Sequence, residues 1–250
     1  MGYNINYYNT DKAERRNSYF NNKPIFYNKG LDTNKIFFQC ILEAIDSIKH
    51  KKLLRKIKIL DLGTGAGYVP DILCKINRTK FKIVGIDLSA QMIQNAQSKI
   101  KDKRITFMVG DNKSLPFKAG SFDIITNKLS TQFDVKEMAR VLKKGGYFIF
   151  KEYGINKGFK EVRELFSNRY AKLEKTPQDF YNELTKQEFS EVFIRSFFIK
   201  RTYKLEEIKK IFEMAPLIHN FDGKDLLKIK NKLGDNIKVS SDPFIIYARK

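Results

Sequence analysis

A glycine-rich loop preceded by an acidic residue is the most distinctive chemical feature of this sequence. Residues 63–67 read Gly-Thr-Gly-Ala-Gly, and Asp61 stands just before them, separated by Leu62. Alternate glycines let a bound molecule approach the backbone at places where a Cβ would collide with it. If a helix follows the loop, its first N–H groups and the positive end of its dipole also face that molecule. The pattern therefore predicts a binding loop for a small polar ligand.

Two further acidic positions follow at intervals that suit the same ligand. Asp87 comes 20 residues after Gly67, the interval at which a carboxylate can accept hydrogen bonds from the two hydroxyls of a ribose. The segment Gly110-Asp111-Asn112 offers another pair of polar side chains after the next apolar run. Because ligands of open α/β sheets bind at the carboxyl ends of the strands, we expect these groups to converge.

The loop does not match the phosphate-binding patterns. Dinucleotide-binding loops follow Gly-x-Gly-x-x-Gly, whereas the sixth position counted from Gly63 is Tyr68. A phosphate loop of the Gly-x4-Gly-Lys-Ser/Thr type is also absent from the sequence. A carboxylate at Asp61 would repel a diphosphate and attract an ammonium group. The loop therefore favours a ligand that carries an ammonium group over a dinucleotide.

The elements that position these residues alternate between short apolar strands and amphipathic helices. Their β-branched and aromatic content predicts strands at 57–62, 81–87, 105–109, 122–126 and 147–151. Helices are predicted at about 69–76, 89–100 and 135–142. The last of them ends at Lys143-Lys144-Gly145-Gly146, since basic residues and glycines are typical of a helix C-terminus. Strands that alternate with helices imply a mostly parallel sheet covered on both faces.

The flanks of this core differ from it in composition. The first residues are rich in Asn and Tyr and a helix is predicted over 36–48, so residues 1–54 are interpreted as an N-terminal helical cap. Residues 55–250 then form the ligand-binding core, with a helical lid inserted at about 153–190. Within that lid, Pro177 is predicted to open a helix. Further strands are predicted at 191–203 and 243–248, and further helices at 205–214 and 224–233. The fold class is therefore α/β, a doubly wound and mostly parallel sheet of seven strands.

Read in order, these segments resemble the motifs of a known enzyme family. They are Asp61-Leu62-Gly63-Thr64-Gly65-Ala66-Gly67, Gly85-Ile86-Asp87-Leu88-Ser89 with Met92, Gly110-Asp111, Leu115-Pro116-Phe117 with Ser121-Phe122-Asp123, and the run from Glu137 to Gly146. Their order and spacing are similar to those of class I S-adenosylmethionine (SAM) methyltransferases. The resemblance is to the small-molecule subgroup typified by ubiquinone and menaquinone C-methyltransferases and malonyl-carrier-protein methyltransferases. It covers residues 55–152 strongly.

The resemblance implies a Rossmann-like methyltransferase fold and in-line transfer of a methyl group from SAM to a small-molecule acceptor, with S-adenosylhomocysteine as the product. The cofactor-binding set it implies is Asp61, Gly63, Thr64, Gly65, Gly67, Asp87, Leu88, Met92, Asp111, Asn112 and Asn127. The glycine loop would border the methionine moiety, with Asp61 near its ammonium group. Asp87 would bind the ribose hydroxyls, and Leu88 and Met92 would flank the adenine.

Three further positions complete these implied roles. Asp111 would face the adenine amino group, with Asn112 beside it. Asn127, as the first residue past its strand, would lie near the sulfonium and the acceptor. Met92 also has an alternative interpretation, as a core residue of the helix that follows Asp87.

The sequence identifies no catalytic residue with the same clarity. Many relatives carry a histidine after the strand at 122–126, where this chain has Lys128-Leu129-Ser130-Thr131-Gln132. A sulfonium is already activated, so alignment of the nucleophile, methyl carbon and sulfur can lower the barrier by ~7–11 kcal/mol without a dedicated base. Glu152 and Tyr153, just past the strand at 147–151, are the best-placed candidates for a base. The alternative interpretation of both is a solvated strand end.

Composition narrows the class of protein. The 250 residues carry a formal net charge of +20, but basic residues are spread evenly along the chain, so a nucleic-acid partner is compatible with the sequence without being favoured by it. The cysteines Cys40 and Cys74 and the two histidines form no pattern typical of a disulfide framework or a metal site. No secretory signal is recognised, and no apolar run approaches the ~20 residues that span a bilayer. We therefore expect a cytoplasmic protein without a bound metal.

Two other functions stay open at this point. A tRNA or rRNA methyltransferase would fit the basic charge, although Asn127-Lys128-Leu129-Ser130 is not the Asn-Pro-Pro-Tyr turn that positions a base amine. A non-catalytic partner protein could retain the cofactor-binding fold, although the presence of Asp61, Asp87 and Asp111 argues against it. The acceptor, the methylated atom and the oligomeric state are not specified by the sequence.

Overall fold

Helices and strands alternate along the chain in the computed structural model, which describes residues 25–27, 32–51, 56–76, 81–130, 133–154, 158–170, 175–214 and 217–250. The helices of these residues are α1 (Thr33–Lys51), α2 (Tyr68–Ile76), α3 (Ala90–Lys99), α4 (Val135–Val141), α5 (Lys160–Leu165), α6 (Pro177–Thr185), α7 (Leu205–Met214) and α8 (Gly223–Leu233). The strands are β1 (Ile25–Tyr27), β2 (Ile57–Leu62), β3 (Phe81–Asp87), β4 (Ile105–Val109), β5 (Phe122–Lys128), β6 (Leu142–Tyr153), β7 (Glu191–Lys204), β8 (Asn236–Ser241) and β9 (Pro243–Arg249). None of the described helices is both long and apolar enough to cross a membrane.

The strands form one sheet in the order β1-β7-β9-β6-β5-β2-β3-β4, with β8 paired to β7. Strands β2 to β6 are mutually parallel, and β9 runs antiparallel to both of its neighbours. The predicted α/β class and its mostly parallel sheet are confirmed. The predicted count of seven strands is wrong, because β1 and β8 raise it to 9. β1 has only 3 residues, too few to show a period, and β8 alternates buried Ile237 with polar neighbours, so its apolar pattern is weak.

The chain reverses its direction of travel across the sheet at β2. From β2 it moves outward through β3 to β4, and it then returns to β5 on the other side of β2. Asp61 near the end of β2 is the register partner of Thr126 on β5. Ligands of open α/β sheets bind in the crevice outside the strand ends at such a reversal. The topology thus directs attention to the carboxyl ends of β2, β3 and β5.

Helices cover the central strands on both faces. On one face, α1 buries Phe37, Phe38, Ile41 and Ile45 in a core shared with β2, β3, β5 and β6. The Asp32 side chain begins this helix by accepting the N–H of Asn34 at 2.9 Å. On the other face, α4 and α6 complete a second core, to which α6 contributes Phe180 and Leu184. Coverage on both faces explains why these strands are nearly continuous apolar runs.

A third core lies beyond the carboxyl ends of the parallel strands. The first half of β7 pairs with β9 and its second half pairs with β8. Because β7 runs parallel to β6, and β6 ends at Tyr153 opposite Pro243, the second half of β7 extends past the end of β6. Helices α5, α7 and α8 pack there around Val162, Phe212 and Ile229. The segment at 153–190 is therefore shared between two cores, with α5 in the third and α6 in the second; its role as a lid stays a prediction.

Two predicted boundaries are wrong in ways that matter for the site. Asn127 lies inside β5, which continues to Lys128, because β5 keeps its pairing with β6 up to Lys128 and Lys151. Helix α4 ends at Val141 and β6 begins at once. Gly145, with a φ of 74°, donates its N–H to the carbonyl of Lys250. The segment around Gly145, which composition predicts as a helix C-terminus, therefore belongs to β6, and its hydrogen bond to Lys250 helps to keep it in that strand.

Candidate functional site

The glycine loop is a tight turn that joins β2 to α2. Gly65 and Gly67 have φ values of 53° and 83°, a left-handed backbone that residues with a Cβ rarely adopt. A Cβ at Gly67 would lie 2.5 Å from Ile100 Cδ1 and 2.7 Å from Phe107 Cζ, so this glycine is also required by packing. A Cβ at Gly65 would meet nothing within 4 Å. The side of the loop at Gly65 is thus open.

Thr64 and Gly63 attach the loop to the neighbouring strands. The Thr64 N–H donates to the carbonyl of Ile86 on β3 at 3.0 Å, and the Gly67 N–H donates to the Thr64 carbonyl at 2.9 Å. Ser130 packs so closely on Gly63 that any Cβ there would collide with it. The loop is therefore fixed from β3 on one side and from the segment after β5 on the other.

Asp87, at the end of β3, is oriented by two backbone donors. Its Oδ2 accepts the N–H of Gly65 at 2.8 Å and its Oδ1 accepts the N–H of Ser89 at 2.9 Å. Ser89 in turn caps α3 by accepting the Met92 N–H on its hydroxyl at 3.3 Å. A carboxylate oxygen can accept more than one hydrogen bond. The side chain is thus held beside the open face of the loop with acceptor capacity to spare.

Large apolar side chains lie exposed beside Asp87. Leu88 is 74% exposed, Met92 is 42% exposed and Val109, at the end of β4, is 50% exposed. The interpretation of Met92 as a core residue is therefore wrong: Ile93 and Ala96 are the residues of α3 that are buried. Val109 was not identified from the sequence, since it reads as an ordinary strand residue. Together these three residues can form an apolar surface at the carboxyl ends of β3 and β4.

Asp111 and Asn112 adopt different environments although they are adjacent. Asp111 is exposed, and its Oδ1 accepts the N–H of Lys113 at 2.8 Å in a turn. Asn112 is 7% exposed, and its Oδ1 has no hydrogen-bond partner among the described residues. Its Nδ2 lies 3.7 Å from the position that a Cβ of Gly63 would take. Asn112 is thus part of the loop's immediate surroundings, whereas Asp111 lies farther out.

Asp61 is an almost completely buried carboxylate, with 1% of its surface exposed. Its Oδ1 accepts the hydroxyl of Thr126 at 2.7 Å, while Oδ2 is buried without a hydrogen-bond partner among the described residues. Burial raises the pKa of Asp61 to about 6, against the opposing effects of the hydroxyls of Thr126 and Thr64 and of the Lys128 charge. A cationic group bound beside Asp61 would therefore stabilise its charged form.

Asn127 is fully buried on the opposite face of β5 from Thr126. Its Oδ1 accepts the N–H of Ser130 at 3.2 Å, which closes a turn in which Leu129 has a φ of 62°. Its Nδ2 has no described hydrogen-bond partner. Buried side-chain donors and acceptors are nearly always paired in folded proteins. An unpaired donor at the end of β5 thus marks a place where a ligand can bind.

Two lysines at the same edge were missed from the sequence. Lys128 and Lys151 are register partners at the ends of β5 and β6. The Lys128 ammonium lies 4.7 Å from the centre of the Tyr68 ring. Lys151 is 3% exposed, its Nζ donates to Asn34 Oδ1 at 2.8 Å, and burial lowers its pKa to about 7. The available signal was a lysine close to the carboxyl end of an otherwise apolar run.

The predicted base candidates lie on opposite faces of β6. Glu152 is buried and its Oε1 accepts the N–H of Tyr153 at 2.7 Å. Because side chains alternate along a strand, Glu152 shares its face with Phe150 and the second core, while Tyr153 shares the face of Lys151. Burial raises the pKa of the Tyr153 hydroxyl. A catalytic role for either residue stays a prediction.

Comparison with known proteins identifies a methyltransferase domain that contains this site. A family model described as a methyltransferase domain matches residues 60–150. Malonyl-[acyl-carrier protein] O-methyltransferase of Priestia megaterium is 27% identical over 202 residues, which cover 78% of this chain and 65% of that protein. Demethylmenaquinone methyltransferase of Lactococcus lactis is 29% identical over 217 residues, which cover 76% of this chain and 84% of that protein.

A solved structure, that of the YcgJ protein of Bacillus subtilis, has the same fold. It superposes with a TM-score of 0.55 at 20% identity and covers 84% of this chain and 98% of its own. The matched residues 60–150 run from β2 through the glycine loop, Asp87, Asp111 and Asn127 to β6. Residues 60–150 of this chain therefore match a methyltransferase domain, and the chain as a whole is similar to methyltransferases over about three quarters of its length.

Proposed function

We propose that this chain transfers a methyl group from SAM to a small-molecule acceptor by in-line displacement, in the crevice at the ends of β2, β3 and β5. The observation that carries the proposal is a set of buried polar atoms without described partners around the glycine loop: Asp61 Oδ2, Asn112 Oδ1 and Asn127 Nδ2. Such atoms cost free energy unless a ligand completes their hydrogen bonds. SAM fits this set because it brings both donors and acceptors and a positive charge.

The remaining groups suit the other parts of the same ligand. The open side of Gly65 leaves space for the methionine moiety, and Asp61 would take its ammonium group. Asp87 would accept the ribose hydroxyls, since its two oxygens are already oriented by backbone donors. Leu88, Met92 and Val109 would pack on the adenine, and Asp111 would meet the adenine amino group. An apolar surface for the base and a carboxylate for the sugar are what an adenosine needs.

The contribution of the protein to the reaction would be mainly alignment. SAM, when bound, supplies a methyl group that is already activated by its sulfonium. Asp87 and the glycine loop would hold the ribose and the methionine moiety of the cofactor, and the end of β5 would border the acceptor. Correct alignment of reacting groups is worth ~7–11 kcal/mol. Glu152 or Tyr153 would be needed as a base only for an acceptor that is protonated at the working pH.

The proposed acceptor is a small molecule or a group of similar size. The names of the two relatives specify a malonyl group on a carrier protein and demethylmenaquinone as acceptors. Phe180 of α6 is buried in the second core, so it does not line an acceptor pocket, whereas its neighbour Tyr181 is 39% exposed. The product from the cofactor would be S-adenosylhomocysteine.

Binding of S-adenosylhomocysteine to the Asp87→Ala variant tests the proposal. Two hydrogen bonds between a carboxylate and ribose hydroxyls are worth about 3 kcal/mol or more together, so the affinity should fall about 100-fold or more in titration calorimetry. The matched control is Asp71→Ala on α2, whose carboxylate pairs with Lys75 on the surface; its affinity should equal that of the wild type. Thermal unfolding of each variant verifies that it is folded.

Two results would count against the proposal. Unchanged affinity in Asp87→Ala would show that the ribose does not bind at Asp87. Tight binding by the wild type, combined with no formation of S-adenosylhomocysteine from SAM across a broad panel of small acceptors, would favour a non-catalytic protein that keeps the cofactor site.

A further inference from the structure

The ammonium group of Lys128 forms no ion pair in the described part of the chain, although the carboxylates of Asp61, Glu152 and Asp32 oppose the lowering of its pKa by burial. Lys128 is the last residue of β5, and its Nζ lies over the ring of Tyr68, 4.7 Å from its centre. Tyr68 begins α2 directly after the glycine loop. A contact between a cation and an aromatic ring holds the ammonium in place but does not neutralise its charge. Lys128 therefore presents a positive charge at the glycine loop.

This charge lies on the same sheet face as the carboxylate of Asp61. Asp61 is paired in register with Thr126, and the hydroxyl of Thr126 donates to Asp61. Since side chains alternate along a strand, Lys128 lies on the same face as Thr126, about 7 Å farther along β5. Asp61 Oδ2 is itself buried without a described partner. Each of these two charges shifts the pKa of the other toward its charged form, but the two groups form no direct ion pair among the described residues. A ligand that carries both charges can therefore bind to both groups.

Such a pair is complementary to an α-amino acid, which carries an ammonium and a carboxylate on one carbon. The neighbouring Lys151 is less suited to bind a ligand carboxylate, because its Nζ already donates to Asn34 Oδ1 at 2.8 Å. Burial also lowers the pKa of Lys151 to about 7, so much of its positive charge is lost at pH 7.5 and it cannot replace Lys128, its register neighbour. The Tyr68 ring closes the corner on the side of α2.

We propose that Lys128 binds the α-carboxylate of the methionine moiety of the cofactor while Asp61 binds its ammonium group. This inference rests on the proposed function, because it specifies how one end of the same ligand is held. It assigns to β5 a role that the glycine loop cannot fill, since backbone N–H groups carry no full charge.

Two ligands that differ only at the amino-acid end test the assignment. S-Adenosylhomocysteine carries the amino-acid group, and 5′-methylthioadenosine lacks it while keeping the adenine, the ribose and the thioether sulfur. In titration calorimetry, Lys128→Met should weaken binding of S-adenosylhomocysteine about 10- to 100-fold, the usual value of a hydrogen bond to a charged group. Binding of 5′-methylthioadenosine should stay unchanged. Lys128→Arg should retain most of the affinity, and Lys82→Met, at an exposed site on β3, should retain all of it.

A measurement on the wild type makes the test independent of how well the variants fold. The carboxyl methyl ester of S-adenosylhomocysteine should bind the wild type about 10- to 100-fold more weakly than the free acid. Lys128→Met should bind the ester and the acid equally. Equal losses for both nucleosides in Lys128→Met, or an ester that binds the wild type as well as the acid, would overturn the assignment. A wild type that binds none of these ligands would instead overturn the proposed function.

Discussion

Replacement of Asp61 by asparagine should make the protein more stable and less able to bind its cofactor. Burial raises the pKa of Asp61 from 3.8 to about 6, a shift of about two units, which corresponds to about 3 kcal/mol of unfavourable free energy when the group is charged. An amide of the same shape removes this cost and keeps an oxygen for the hydroxyl of Thr126. Since the new NH2 group replaces an oxygen that lacks a described partner, we expect a gain of about 1–3 kcal/mol.

The gain should depend on pH in a defined direction. Between pH 3.8 and about 6 the folded state binds more protons at Asp61 than the unfolded state, so this residue lowers the stability of the wild type as the pH rises through that window. Asp61→Asn should therefore match the wild type near pH 2.8 and exceed it fully above pH 7 (both about one unit outside the window). Thermal unfolding at several pH values measures the difference, which should appear as about 2–10 °C in Tm above pH 7.

The same substitution should weaken the binding of S-adenosylhomocysteine about 10- to 100-fold at pH 7.5, because a charged hydrogen bond to the ligand ammonium is lost. In the wild type, binding near pH 6 should release a proton from Asp61, since a cationic ligand lowers its pKa. Calorimetry in two buffers of different ionisation enthalpy detects that proton, and Asp61→Asn should release none from this position.

Asp123→Asn provides the matched control. Asp123 is equally buried, but its carboxylate pairs with Lys143 at 3.1 Å and accepts the Lys58 N–H at the opposite end of the sheet. Its removal should lower stability by about 1–3 kcal/mol and leave the affinity of the folded protein unchanged. If Asp61→Asn proves less stable than the wild type at pH 8, or binds S-adenosylhomocysteine as tightly, then the carboxylate is a structural element and the reasoning fails.

The remaining predictions concern Lys151 and the glycine loop. Burial lowers the pKa of Lys151 to about 7, so its charge costs stability below pH 7 and this cost is relieved as the pH rises toward 10.5, its ordinary value. Lys151→Met should therefore raise the urea midpoint at pH 6 by several times more than at pH 10; an equal effect at both pH values would contradict this. Gly65→Ala and Gly120→Ala replace glycines with φ values of 53° and 62°, so each should cost about 1–2 kcal/mol. In calorimetry only Gly65→Ala should lose cofactor affinity, about tenfold or more, since its methyl group enters the open side of the loop; a loss in both would indicate an effect of backbone strain alone.

The central sheet could be predicted from the sequence because both of its faces are buried. Strands β2 to β6 are runs of branched and aromatic residues separated by amphipathic helices, and these local patterns suffice to identify them. β1 and β8 were missed because each depends on a partner that is distant in sequence: β1 pairs with Phe197 to Ile199 on β7, and β8 pairs with the second half of β7. Short edge strands carry little of their own signal, since half of their surroundings is solvent or backbone from elsewhere.

The residues that we propose to bind the nucleoside could also be predicted from the sequence. The glycine loop, Asp87 and Asp111 lie at strand ends whose positions follow from local patterns. The two lysines at the same edge of the sheet could not be predicted in this way. Lys128 and Lys151 come together only because β5 and β6 are neighbours in register, and Asn34 reaches Lys151 over a separation of 117 residues. The environment of a charged side chain depends on what is packed around it, which no local pattern states.

The sequence by itself determined a parallel α/β sheet, a glycine turn after its first long strand, and carboxylates at the ends of the next two strands. These features depend on residue type and spacing, which act over a few residues along the chain. Only the tertiary structure decided that Met92 is exposed, that Asp61 is a buried carboxylate with an unpaired oxygen, and that Lys128 lies over Tyr68. Burial and pairing arise between segments that are far apart in sequence, and they set the charge and the free energy of each group at the site.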